Sequence, residues 1–326
     1  MRVTNKMLSN NFLRDMRTNL NNIQTLQSQL SSGKEIRKPS DNPFKVARSM
    51  QLHSDIAENK QYNENIKDTL NNLDSTDTAL GQATNVFQRM RELLISAGNA
   101  AYGSDERKAI KDEFNQKVQE LSQVLNTNFD GSYIFGGTKA SSKPLTTYTD
   151  ANGNSILAYS DKEGNVLDPS KDADSANQMN MIGQKIKVEI SQGVTMEYNV
   201  TATDVLNFKG TDNNVSDLLK HIVENLDSDD KANKDKLTGD NLTDITTVMS
   251  NLLKVRAEVG AKQNRMEAAQ SKNEDENFNM TDILSKTEDI DITQKMMEYS
   301  TMQTVYTASL QTSAKVIQPT LMDYLR

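Results

Sequence analysis

The sequence predicts a mainly α-helical fold, in which both chain ends build a long antiparallel coiled-coil rod that carries a small inserted antiparallel β domain. Apolar residues recur at alternating steps of three and four near each end and along two long internal stretches, as they do in coiled coils. Turn pairs and strictly alternating apolar residues are confined to the middle of the chain. A hydrophobic content of 35% and a mean hydropathy of -0.69 fit long, solvated helices better than a globular enzyme with a large core.

The first predicted helix runs from about Met7 to Leu30 and carries one narrow apolar stripe. The members of this stripe, one of them polar, are Leu13, Met16, Leu20, Ile23, Gln27 and Leu30. Gly33 suits the left-handed position that ends a helix. Ser40 or Asp41 is then the expected N-cap of the next helix, and Pro43 fits its first turn because an N–H there would be unsatisfied in any case.

Two long internal helices are predicted to pair as the body of the rod. The first extends from Phe44 to about Gly98 without an internal proline, and its apolar residues recur at every seventh position, at Ile66, Leu73, Leu80, Phe87 and Leu94. Ser104 is expected to cap a third helix that packs on it. The second long helix begins at Leu242 and reaches the polar stretch from Asn273 to Asn279, where we expect a bend.

The middle of the chain changes from a helical to a β pattern. Asp130-Gly131 is a turn pair at the end of the helical half. Apolar residues alternate with polar ones over 186–190 and again over 194–200, on either side of Gln192-Gly193, which predicts a hairpin with one buried face. A short helix is expected from Val215 to Leu226, and a charged linker from Asp227 to Asp240.

The final helix, from about Ile290 to Arg326, carries two neighbouring apolar stripes. The first consists of Met296, Tyr299, Gln303, Tyr306, Leu310, Ser313 and Ile317, and the second of Met302, Val305, Ser309, Thr312 and Val316. Such a helix has more apolar width than one partner helix can cover, which indicates packing on several neighbours. From periodicity alone, an ordinary helix pair within one subunit is the alternative.

These elements suggest three domains, two of which are assembled from both halves of the chain. The terminal helices would occupy 1–43 and 280–326, and the helical rod 44–137 and 241–279. The inserted β-rich domain would occupy 138–240. Because the docking helices flank the insertion, we expect the insertion to be dispensable for assembly.

Composition excludes several classes of function. The 326 residues include no Cys and no Trp and carry a formal net charge of -8. Disulfides and thiolate metal sites are therefore excluded, and no basic face is evident that would bind nucleic acid. No apolar run of about 18 residues occurs, and the N-terminus lacks the apolar segment of a secretory signal peptide. We therefore expect neither a membrane partner nor a cleaved signal peptide.

The motif residues themselves resemble a known family. Leu30-Ser31-Ser32-Gly33, followed by Pro39-Ser40-Asp41-Asn42-Pro43, resembles the N-terminal signature of the flagellin superfamily. The closing Leu321–Arg326 resembles the C-terminal end of that family. The opening Met1–Met7, and Pro43 where flagellins usually carry small residues, resemble the hook–filament junction proteins of the family rather than its filament subunits.

This resemblance implies a structural role in the bacterial flagellum, outside the cell, after type III export. It implies that terminal helices from a ring of like subunits pack together, with the first hook-associated protein and flagellin as further partners. A cytoplasmic export chaperone is implied at the C-terminal helix. The residues that the resemblance and the last stripe assign to assembly are Leu30, Ser31, Ser32, Gly33, Ser40, Asp41, Pro43, Tyr299, Tyr306, Leu310 and Ile317.

No catalytic, cofactor or metal site is expected. The two histidines, His53 and His221, lie far apart in sequence, and no phosphate-binding loop or dinucleotide fingerprint occurs. The remaining alternatives are a filament flagellin and a soluble coiled-coil scaffold of type III secretion. A scaffold would not need the Leu-Ser-Ser-Gly and Ser-Asp-Asn-Pro motifs. We also expect the ends of the free monomer to be disordered, because burial of their narrow apolar stripes offsets little of the entropy that the chain loses when these helices form.

Overall fold

The structure, a computed structural model, describes residues 5–98, 103–169, 171, 173–208, 214–228 and 231–316. It is mainly helical, with packed N- and C-terminal helices and small inserted hairpins, which confirms the predicted fold class. The chain forms two compact units. Unit 1 comprises Met1–Asn59 and Asp275–Arg326, and unit 2 comprises Lys60–Glu274. The division into three domains stays a prediction.

The helices and strands follow the chain in an order that is helical at both ends. The helices are α1 (Asn5–Ser32), α2 (Pro43–Ala97), α3 (Ser104–Leu125), α4 (Ala173–Gly183), α5 (Ala202–Leu206), α6 (Val215–Asp227), α7 (Lys231–Thr238), α8 (Asp240–Glu288) and α9 (Ile292–Val316). The strands are β1 (Asn128–Phe129), β2 (Ser132–Tyr133), β3 (Leu145–Thr149), β4 (Ser155–Tyr159), β5 (Lys187–Ser191) and β6 (Val194–Glu197). They pair as three separate antiparallel hairpins, β1–β2, β3–β4 and β5–β6.

The core of unit 2 is built on the seventh-residue stripe of α2. Its members Ile66, Leu73, Leu80, Phe87 and Leu94 are all fully buried. Residues of α8 join the same core, and a bidentate pair between Arg256 and Asp77, at 2.9 and 3.1 Å, links the two helices. Regular heptad spacing therefore identified the buried face of α2 correctly.

The inserted hairpins share this core. Ile190 of β5 and Met196 of β6 are buried in the same cluster as the helices. The side-chain amide of Asn273 on α8 donates to the carbonyl of Ile190 at 2.8 Å, and that of Asn65 on α2 donates to the carbonyl of Glu189 at 3.2 Å. The insertion is therefore part of the core of unit 2, which is evidence against its expected dispensability.

Two boundaries that were predicted from polar stretches are wrong. Helix α8 continues through 273–279 without interruption, because Asn273 is fully buried and its amide donates to the carbonyl of Ile190 in β5. The predicted linker contains α7, whose Leu237 is fully buried in the core. In both places a tertiary contact stabilises a helix in a segment whose polar sequence, taken alone, predicts a solvent-exposed loop or bend.

Two helix caps also differ from the prediction. The side chain of Asn42, rather than Ser40 or Asp41, accepts the backbone N–H of Lys45 at the start of α2, at 3.1 Å. Gly103, rather than Ser104, is the N-cap of α3. Since Ser, Asp and Asn cap helices about equally well, their order in the sequence does not decide which one is used.

In unit 1, α1 packs against α9. The inward face of α1 is formed by Phe12, Met16, Asn19, Ile23, Leu26 and Leu30, which are buried or half-buried. Three predicted positions, Met16, Ile23 and Leu30, lie on this face, but Leu13, Leu20 and Gln27 are exposed. The seam is displaced to the neighbouring row, in which Leu26 stands in place of Gln27, Phe12 in place of Leu13 and Asn19 in place of Leu20.

Candidate assembly interface

The loop between α1 and α2, residues 33–42, begins at a glycine that the backbone requires. Gly33 has φ of 71° and its N–H donates to the carbonyl of Gln29 at 2.8 Å, which closes the last turn of α1. A Cβ at Gly33 would meet nothing within 4 Å. The left-handed conformation, and not lack of space, therefore selects glycine here.

The rest of the motif shapes the same loop. The carboxylate of Asp41 accepts the backbone N–H groups of Lys38 at 2.9 Å and Arg37 at 3.2 Å. These bonds lower the pKa of Asp41 below its ordinary value. Ser32 donates to the carbonyl of Gln29 at 3.3 Å, and Pro43 is the first residue of α2. Ser31 and Ser40 are exposed, so this unit leaves them available to other molecules.

The loop is joined to the segment between α8 and α9 by a short antiparallel bridge. Lys34 pairs with Asp289, the N–H of Glu35 donates to the carbonyl of Glu288 at 2.6 Å, and the N–H of Ile290 donates to the carbonyl of Gly33 at 3.1 Å. The end of α1 is thereby fixed against the beginning of α9. The two terminal helices are consequently anchored to each other at this end.

A cluster of charged side chains closes over this bridge. The carboxylate of Glu288, whose side chain is 14% exposed, receives Lys34 at 3.0 Å and His53 at 3.0 Å, and Ser49 also donates to it. Lys34 reaches Asp289 at 2.7 Å as well. We call the backbone bridge and these side chains, Lys34, Ser49, His53, Glu288 and Asp289, the clamp.

The clamp shifts the titration of its members in opposite directions. Burial alone would raise the pKa of Glu288, but hydrogen bonds from Ser49 and Lys34 outweigh it and hold that pKa below its ordinary value. Hydrogen bonds to Asp289 and Glu288 raise the pKa of Lys34. The hydrogen bonds from Lys34 and Ser285 lower the pKa of Asp289. All three groups are therefore charged across the neutral range, which keeps the clamp closed.

Sequence reasoning missed the clamp. Lys34 and Asp289 are separated by 255 positions. No local periodicity relates them, and each alone is typical of a solvated helix end. The opposite charges beside the two helix ends are the one available signal, and it becomes informative only once α1 and α9 are known to pair.

The terminal helix pair buries one face of each helix and leaves the flanks in water. Leu30 on α1, and Tyr299 and Tyr306 on α9, are half-buried on the inward faces. Leu310 is 42% exposed on a flank, and Met296 and Met297 are 59% and 62% exposed. Ile317 lies outside the described residues. The structure thus places Gly33 against Ile290, just before α9, and half-buries Leu30, but it leaves Leu310 exposed.

The exposed apolar flanks of α9 indicate a surface that another molecule covers. Large apolar side chains that cluster on one exposed helix usually mark an interaction surface. Within the part of the chain that the structure describes, no group of three or more His, Asp or Glu residues could hold a metal ion. None of the described helices combines the length and the apolar character that crossing a membrane requires.

Comparison with known proteins places these features in one family. Residues 3–140 match the family model of the bacterial flagellin N-terminal helical region, and residues 242–325 match that of the bacterial flagellin C-terminal helical region. Flagellar hook-associated protein 3 of Escherichia coli (strain K12) is 24% identical over 310 residues, which cover 95% of each chain. A flagellin of Clostridium tyrobutyricum is 25% identical over 248 residues, which cover 71% of this chain and 59% of that protein.

A solved structure shares the fold. The crystal structure of flagellar hook associated protein-3 from Legionella pneumophila superposes with a TM-score of 0.58 at 15% identity, covering 73% of this chain and 98% of that chain. At this identity the likeness concerns the fold alone.

Proposed function

Because the chain belongs to the flagellin family of structural proteins, we propose that it joins the hook of the bacterial flagellum to the flagellin filament. The observation that carries this proposal is the alignment with a hook-associated protein 3 over 95% of both chains. The proline at position 43 and the opening Met1–Met7 support the same role. The protein would work outside the cell, at the hook–filament junction.

The proposed mechanism follows from unit 1. The clamp fixes the end of α1 beside the beginning of α9, so that the helix pair is presented in one orientation. Burial of the exposed flanks of α9, including Leu310, would then drive association with neighbouring chains. A ring of like subunits would contact the first hook-associated protein on one side and flagellin on the other.

The same exposed surface explains a need for protection before export. Met296, Met297 and Leu310 would attract other apolar surfaces in the cytoplasm. We propose that an export chaperone covers α9 there and is released when the chain enters the type III channel. Capture of the chaperone by the full chain, and its loss when α9 is truncated, would test this step.

The experiment that tests the main proposal is deletion of the gene followed by complementation. We expect the deletion strain to assemble hooks and to release flagellin into the medium. Antibody against this chain should label one narrow band between the hook and the filament of the complemented strain.

A filament flagellin is the second candidate, favoured by the match to the flagellin of Clostridium tyrobutyricum. Labelling along the whole filament, with no separate flagellin in the medium of the deletion strain, would establish this candidate and refute the junction role.

A further inference from the structure

Two aromatic side chains in unit 1 are exposed without a visible partner. Phe44 is 77% exposed and Phe278 is 76% exposed, which makes them the most exposed large apolar side chains of the described residues. The other six of the eight phenylalanines are buried or half-buried. Aromatic rings in water on two packed helices are typical of anchors that a partner covers.

The charges around the two rings are complementary. Arg48 lies one turn after Phe44 on the same face of α2, and both are exposed. Phe278 lies among Glu274, Asp275 and Asp282, which are exposed on α8. Lys286 pairs with Asp282 at 2.6 Å, so this patch retains a negative balance. We call Phe44 with Arg48 the basic patch, and Phe278 with its carboxylates the acidic patch.

The two patches lie on opposite sides of the helix pair. At 100° per residue, Phe44 is turned by about 140° from Ser49, and Phe278 by about 120° from the buried Leu284. Ser49 and Leu284 mark the inward faces, because Ser49 donates to Glu288 and Leu284 is 9% exposed. Since α2 and α8 run antiparallel, these two rotations carry the rings to opposite sides. One chain therefore cannot bring its own patches together.

We infer that the basic patch of one copy binds the acidic patch of the next copy, in a head-to-tail contact. This contact rests on the proposed function, since it supplies a lateral joint between the copies that build the junction. Two different patches on one chain, facing in opposite directions, generate a ring or a helical array rather than a closed dimer. The complementary charge also orients the two copies.

The register of this contact follows from helix geometry. Phe44 lies five residues before Ser49, and Phe278 ten residues before Glu288, which accepts from Ser49. At about 1.5 Å per residue, and in opposite chain directions, the rings are offset by about 22 Å along the helices. Neighbouring copies must therefore be displaced by about 22 Å along this axis.

The same register pairs the charges. With Phe44 opposite Phe278, a step of four residues along each antiparallel helix brings Arg48 opposite Glu274. Further along, Asp55 would meet Glu267, and the repulsion of the two carboxylates ends the contact there. The predicted contact is therefore short, with one aromatic pair and one ion pair at its centre.

Disulfide trapping tests the contact directly, because the chain has no Cys of its own. The variant with both Ala47→Cys and Asp275→Cys leaves the two rings, Arg48 and Glu274 in place. Oxidation of isolated flagella should give a ladder of linked copies on a non-reducing gel. A disulfide within one chain would need the two Cα atoms to lie within about 7 Å. Positions 47 and 275 of one chain are offset by about 22 Å along the helices, so such a bond is excluded.

Each single-cysteine variant is the matched control and should stay monomeric. If flagella carrying the double variant give no ladder, the contact is absent. A dimer from Asp275→Cys alone would show that acidic patches meet each other and would also overturn the inference. The antibody band described above reports the junction role separately, so failure of the contact and failure of the proposed function are distinguishable.

Charge exchange provides a second, independent measurement. Arg48→Glu and Glu274→Arg should each lower the amount of chain incorporated per flagellum several-fold, and the double variant should restore it. Lys60→Glu, at an exposed cation elsewhere on α2, is the control and should have no effect. If the double variant incorporates no better than the single variants, the two side chains do not meet and the inference is wrong.

Discussion

Replacing Glu288 by alanine should release the loop 33–42 from the junction of α8 and α9. The Glu288 carboxylate is largely buried and accepts from Ser49, which is 7% exposed. A hydrogen bond to a charged group contributes about 1.5–3 kcal/mol. The side chains of Lys34 and His53 are 43% and 60% exposed, so solvent screens their pairs and each contributes about 0–1 kcal/mol. We therefore expect a local loss of about 2–3 kcal/mol.

Hydrogen exchange measures this loss where it should occur. The amides of Glu35 and Ile290 cross the clamp and depend on its closed state. A loss of about 2–3 kcal/mol predicts exchange at these two amides that is faster by on the order of 100-fold. Amides near Leu73 in unit 2 should not change, because they belong to a different core.

Two variants sharpen this test. Glu288→Gln keeps the side-chain volume and one acceptor, so its effect should be intermediate. Asp282→Ala removes another carboxylate of α8, exposed and paired with Lys286 at 2.6 Å, and should leave both amides unchanged. If Glu35 and Ile290 exchange at the wild-type rate in Glu288→Ala, the backbone bridge holds the loop alone and the charged cluster contributes nothing.

Three further outcomes can be measured on the same protein. Leu310→Asp should leave the monomer melt unchanged and prevent incorporation into flagella, because Leu310 is 42% exposed on α9 in the single chain and would be desolvated only in the assembly. Replacing residues 140–205 by a Gly/Ser linker should give an unfolded or aggregated chain, since Ile190, Met196 and Val205 belong to the core of unit 2; a cooperative melt would refute this. Protection of the clamp amides from exchange should be lost as pH falls below about 4, because Glu288 and Asp289, whose pKa values are lowered in the folded chain, become protonated. It should also be lost as pH rises above about 10.5, because Lys34, whose pKa is raised in the folded chain, loses its proton. NMR of the Glu35 amide would follow both limits.

Local patterns predicted those elements whose reason to form is itself local. The heptad stripe of α2, the hairpin of β5 and β6, and α6 were predicted because burial repeats with the period of each element, although Val194 of the predicted alternation is 41% exposed. The turn at Asp130-Gly131 also follows from the sequence, since both residues have positive φ, 50° and 77°. These features need no knowledge of the partner segment.

Features that depend on distant segments could not be read in this way. Asn273 looks like a helix breaker until the carbonyl of Ile190, 83 positions away, satisfies its amide. The buried row of α1 could not be chosen because two adjacent rows share Met16, Ile23 and Leu30. Among the proposed site residues, the loop motif could be explained from its sequence, but the clamp that holds it could not.

The terminal helices show why the same limit applies to function. Among the side chains described on α1 and α9, only Leu26 is buried. Ordering each residue of such a pair costs about 1–2 kcal/mol of backbone entropy, which an isolated helix recovers chiefly by burying an apolar face. Because the α1–α9 pair buries so little apolar surface, its burial does not offset this entropy cost. The exposed side chains of Leu310 and Met296 form the surface that neighbouring molecules can bury to offset the rest. The exposed residues that assembly is expected to bury are therefore those whose apolar character the contacts of the single chain do not account for.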